Sequence, residues 1–128
     1  MLVSAVIADG PPRRVLEVIC DGGFELVVPQ LALAELRRVL TDKLGLPTDE
    51  AGTILALIEE ITDAIAPTPT AVTPRSGDPS DDQLIAAALA SEAKVLISGD
   101  QKHVLPLHAI GTMRIIRPQD FIAEHLNQ

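Results

Sequence analysis

The sequence predicts an α/β fold built on a parallel sheet with helices on both faces. Two observations carry that expectation. Helical patterns alternate with short apolar runs along the chain, and those runs, such as Lys94-Val95-Leu96-Ile97 and Met113-Arg114-Ile115-Ile116, have strand rather than helix length. The 128 residues, 47% of them hydrophobic, suffice for one domain spanning 1–128 with a real core and leave no room for a second. With two Phe and no Trp or Tyr, that core must be Leu, Ile, Val and Ala, and recognition of nucleic acid by base stacking is disfavoured.

Met1 to Ile7 is apolar, and Ala8-Asp9-Gly10-Pro11-Pro12 reads as a loop. Arg13 to Cys20 is a helix with a glycine stop at Gly22-Gly23, and Phe24 to Val28, closed by Pro29, is a strand. Gln30 to Leu44 is the next helix. At 100° per residue, Leu31, Ala32, Leu33, Leu36, Val39 and Leu40 fill one broad arc, with Glu35 projecting between Leu31 and Val39 at its edge. A carboxylate there is expected off the solvent face, and burial would oblige it to meet a cation, a donor or a metal. An arginine partner or a half-exposed edge position would satisfy it equally well.

Gly45-Leu46-Pro47 breaks that helix, and Thr48 caps another carrying Ile54, Leu55, Ile58, Ile61 and Ile65. A short strand bracketed by prolines is expected at Thr70 to Val72. Ser80 followed by Gln83 reads as a capping box, which puts Asp81 and Asp82 in the first turn of a helix whose apolar body runs Leu84 to Ala90. The strand Lys94 to Ile97 follows and ends in Ser98-Gly99-Asp100, so Asp100 stands at a strand's carboxyl end, where ligand crevices of such sheets lie. After a connection holding His103 and His108 come the strand Met113 to Ile116 and a helix opened by Pro118.

A net charge of −8 disfavours broad binding to nucleic acid, which needs clustered Lys and Arg. Arg13-Arg14 and Arg37-Arg38 are the only basic pairs, and each reads by itself as a solvated helix face. Cys20 stands alone and no Cys/His spacing resembles a zinc site, so a reducing, cytoplasmic setting is the default. The apolar start lacks a basic flank and is too short to span a bilayer, so neither a signal peptide nor a membrane segment is expected. The three histidines share no ligand spacing and read as surface or loop residues.

Asp81, Asp82 and Asp100 each have an ordinary explanation, as helix N-terminal acids or as turn chemistry. Taken together, Glu35, Asp82 and Asp100 come from separate elements that a parallel sheet can bring to one edge. Clustered carboxylates persist best around a divalent cation, and oxygen donors favour Mg2+ or Mn2+ over zinc. Metal-assisted hydrolysis of a phosphodiester is the chemistry that fits.

The runs Leu33-Ala34-Glu35-Leu36-Arg37-Arg38-Val39-Leu40, Asp78-Pro79-Ser80-Asp81-Asp82-Gln83-Leu84-Ile85-Ala86-Ala87-Ala88, Val95-Leu96-Ile97-Ser98-Gly99-Asp100 and Arg114-Ile115-Ile116-Arg117-Pro118-Gln119-Asp120-Phe121 resemble, in order and spacing, a PIN domain. The resemblance is strongest to the VapC-like toxin components of bacterial toxin–antitoxin pairs. It implies a three-layer α/β/α fold with four or five parallel strands, and an endoribonuclease that depends on Mg2+ or Mn2+. It also implies an RNA substrate, an antitoxin partner and a homodimer. Glu35, Asp82 and Asp100 match the second, third and fourth acids of the family, and Ser98 the supporting hydroxyl. Asp81 is adjacent and could assist or substitute as a metal ligand, and the 100° turn between neighbours on a helix makes Asp82 the preferred one.

The family's central first strand, ending in Asp-Thr-Asn-Val with the first acid, would stand before Met1, so the domain is expected to be N-terminally truncated. His103 stands where many relatives carry a further acid. Either the start codon is placed too late, or the chain is weakly active or inactive. The competing expectation is a non-catalytic module that docks an antitoxin or a second copy of itself.

Overall fold

The computed structural model describes residues 10–126, so the apolar Met1 to Ile7 run and the expectation of an absent first strand fall outside it. Helix α1 (Pro11–Gly22) stops at Gly23, whose φ of 72° is the left-handed conformation a side chain would resist. Strand β1 (Val27–Pro29) begins three residues later than the Phe24 start expected. The Phe24 ring turns aside to pack on Phe121 and His125, at centroid distances of 5.5 and 4.7 Å. The Leu26 N–H is donated to the Asp63 carboxylate (2.6 Å) rather than to a neighbouring strand.

Helix α2 (Gln30–Arg38) runs into a wider π-turn over Val39–Lys43, with Leu44 N–H reaching back to Val39 O at 3.0 Å. Helix α3 (Thr48–Ile61) buries Ala51, Leu55 and Ile58, one stripe at four- and three-residue spacing. Strand β2 (Ala64–Ala66) pairs parallel with β1. It replaces the strand expected at Thr70 to Val72 and takes Ile65 out of the preceding helix. Leu26 O accepts from both Asp63 N and Ala64 N, which commits the backbone to β1 as soon as α3 ends. The following segment carries Pro67, Pro69 and Pro74, which have no N–H to give a ladder.

Helix α4 (Pro79–Ala90) leads to β3 (Val95–Ile97), a short 3-10 turn (Leu105–Leu107), β4 (Ala109–Ile110), β5 (Met113–Ile116) and α5 (Pro118–Leu126). Strand β3 pairs parallel with β5, and β4 adds an antiparallel edge through the Gly111-Thr112 turn. Mixed helices and parallel strands are thus as expected. Among the described residues, however, the pairing is divided between a two-stranded and a three-stranded sheet instead of one continuous sheet of four or five parallel strands.

Three apolar clusters hold these pieces. Val28, Leu33, Leu36, Leu40, Leu55 and Ile58 tie β1 to α2 and α3. Val15, Ile19, Phe121 and Ile122 join α1 to α5, with Ile97 of β3 and Ile116 of β5 against them. Ile85, Ala88 and Met113 seat α4 on β5. Leu26 touches the first two clusters, so it links the two strand systems through side chains.

Candidate metal centre

Helix α4 is capped by Asp78, not by Ser80 as the capping-box pattern suggested. The Asp78 carboxylate accepts from Ser80 N (2.9 Å) and Asp81 N (3.1 Å), and Pro79 occupies the first turn, where its missing N–H costs nothing. Shifting the cap two residues upstream leaves Asp81 and Asp82 in the first turn but gives them different surroundings.

Asp82 is 6% exposed and its Oδ1 accepts three hydrogen bonds, from Ser76 Oγ (2.7 Å), Ser76 N (2.8 Å) and Arg75 N (2.9 Å). The Ser76 hydroxyl, then the Ser76 and Arg75 amides, hold its pKa below the ordinary carboxylate value. Ser76 Oγ also accepts from Asp78 N at 3.2 Å, so this clasp fixes the loop that delivers the capping acid.

Asp81 looks the other way. Its Oδ2 lies 3.7 Å from His103 Nδ1, which in turn lies 3.6 Å from Asp100 Oδ2. Asp78, Asp81 and His103 each offer one ligand atom within 4.8 Å of the others. Asp100 is held by its own turn: its Oδ1 accepts from Lys102 N (2.9 Å) and His103 N (2.8 Å), and its N–H is donated to Ser98 Oγ (3.1 Å). That leaves Asp100 Oδ2 facing the cluster.

Of the acids preferred from the sequence, the structure thus brings Asp100 to the cluster and turns Asp82 away from it, with the adjacent Asp81 in its place. Ser98 sits behind Asp100, bonded to its amide. Glu35 is exposed on α2 and has no ion pair among the described residues, contrary to the expectation of a covered carboxylate with a partner. The buried arc of α2 and its π-turn runs Leu33, Leu36, Val39 and Leu40, while Leu31 is only half-buried. The arc therefore ends at Val39, and Glu35, 40° beyond it at 100° per residue, falls outside. Asp78 was not among the ligands expected from the sequence, and His103 was read as a loop residue standing where many relatives carry an acid. The Asp-Pro pair opening α4 and the three-residue spacing of Asp100 and His103 were the signals present.

Burial, then the neighbouring Asp100 and Asp78 carboxylates, push Asp81 up to about 6, with His103 acting against them. The amide of His103, then that of Lys102, hold Asp100 down, so the two acids titrate as a pair. The folded chain binds a proton at Asp81 that the unfolded chain releases near 3.8, so the contribution of Asp81 to cation-free stability falls as pH rises from about 4 to about 6. Asp81→Asn should therefore raise the thermal midpoint in EDTA at pH 7 by a few degrees, a gain that vanishes below about pH 4; melts across this range test it.

Asp78, Asp81 and His103, with Asp100 beside the imidazole, form a donor set that suits a divalent cation. Two ligands each about 2.1 Å from one ion stand between roughly 3.0 and 4.2 Å apart, depending on the angle. The 3.6 and 3.7 Å separations lie inside that range. No helix among the described residues is long and apolar enough to cross a membrane. A family model described as PIN domain matches residues 1–102 of the chain. No sequence among the curated proteins matches it.

Proposed function

This chain belongs to the PIN domain family, whose members are generally nucleases that use divalent metals, and from that premise we propose that it is a Mg2+- or Mn2+-dependent ribonuclease. The observation that carries the reading is the convergence of Asp81 and Asp100 from two separate elements, with Asp78 and His103 beside them. These side chains would hold the cation. Bound there, it supplies charge neutralisation for a phosphodiester and lowers the pKa of a water.

The chain's own residues do the rest. The amides of Lys102 and His103 fix the Asp100 carboxylate in its charged form, and Ser98 holds the Asp100 backbone. The Asp82 clasp holds the loop bearing Asp78. With a net charge of −8, a phosphate backbone gains little from the protein surface as a whole, which makes the cation the principal attraction. The finer assignment, a toxin of a toxin–antitoxin pair that works in the cytoplasm as a dimer and is silenced by an antitoxin, rests on the order of motifs along the chain.

Calorimetry with Mn2+ and a single-stranded RNA cleavage assay test the reading together. Native chain should bind Mn2+ and cut RNA only with the cation, and Asp81→Asn with Asp100→Asn should abolish both. Unchanged Mn2+ affinity in that double variant would remove the site. Cation binding without cleavage at any Mg2+ or Mn2+ concentration would select the non-catalytic docking module.

A further inference from the structure

We propose that His103 is itself a ligand, and that its nitrogen shifts the site's choice of cation from Mg2+ toward Mn2+ and the later first-row ions. The inference rests on the nuclease reading for the existence of a cation site and goes beyond it in naming which ion that site selects. His103 Nδ1 stands nearly equidistant from Asp81 Oδ2 and Asp100 Oδ2, at 3.7 and 3.6 Å. Both separations exceed an ordinary hydrogen bond, and they put the imidazole nitrogen beside both carboxylates, with Asp78 completing a group of mutually close donors with Asp81 and His103. The residue is also anchored: its amide is donated to Asp100 Oδ1, so the carboxylate that would share the ion fixes the backbone that carries the imidazole.

Mg2+ takes oxygen donors in near-ideal octahedral geometry and gains little from imidazole, whereas affinity for a site with a nitrogen donor rises from Mn2+ through Co2+ to Ni2+. A site of carboxylates alone would discriminate far less. Histidine at this position therefore sets ion identity, and an aspartate there would favour Mg2+.

Tag-free native chain loaded with Mn2+ should show nitrogen modulation in pulsed EPR. His103→Asp should lose it, and His108→Gln, at an exposed position, should keep it. By calorimetry, His103→Asp should lower Ni2+ affinity by roughly tenfold or more while leaving Mg2+ affinity equal or higher. Mn2+ binding that depends on Asp81 but shows no nitrogen modulation would overturn the role of His103 and leave the cation site standing. Mn2+ binding indifferent to Asp81→Asn would overturn both.

Discussion

Leu36→Ala should destabilise the chain by about 2–5 kcal/mol, read as a lower urea midpoint at unchanged slope. Leu36 is fully buried on α2, in the cluster where Val28 of β1 meets Leu40 of the π-turn and Leu55 and Ile58 of α3. Removing its isobutyl group loses transfer free energy and leaves a void, because its neighbours belong to three different elements and cannot all close in. Leu57→Ala on α3 is the matched control: that side chain is 58% exposed, and its loss should cost well under 1 kcal/mol or about nothing. A Leu36→Ala chain as stable as the native one would mean that β1, α2 and α3 are not assembled around this residue.

The second large effect is a reversal between two adjacent acids. Asp82→Ala should lower the thermal midpoint by roughly 5 °C or more, since it strands the Ser76 and Arg75 amides without their acceptor and removes the nearer of the Ser76 hydroxyl's two acceptors. Its held-down pKa means that the stability it supplies is present at neutral pH and fades as pH falls through the acid range. Below its denaturation temperature the variant should still take up Mn2+. Asp81→Asn should do the opposite, melting higher without cation and losing Mn2+ affinity by about 100-fold or more, because a neutral amide replaces a charged ligand. Melts with EDTA and calorimetry with Mn2+ on both variants separate the two roles. The same pattern in both would contradict them.

The alternation of elements was legible because helical and strand periods differ, and Pro118, Gly23 and the apolar run at Val95 to Ile97 punctuate them clearly. Strand β2 was not. Ala64-Ile65-Ala66 continues the spacing of α3, and only the Asp63 contacts to Leu26, 37 residues away, show where the helix must stop. The choice between Asp81 and Asp82 was illegible for a related reason. Helix α4 is apolar on nearly every side, with Leu84, Ile85, Ala86, Ala87 and Ala88 in succession, so its sequence names no inward face. Ser76, in a loop upstream, decides which carboxylate is sequestered. Glu35 shows the converse: a hydrophobic arc extended to Leu31 put this acid at its edge, whereas the buried arc ends at Val39 and leaves Glu35 exposed.

Asp81 and Asp100, with His103 between them, are proposed to share a cation. Anomalous diffraction from crystals soaked in Mn2+ tests that sharing most directly. One peak within coordination distance of Asp81 Oδ2, Asp100 Oδ2 and His103 Nδ1 is the predicted result, with Asp82 still bonded to Ser76. A peak on Asp82, or none near Asp100 at millimolar Mn2+, would contradict it.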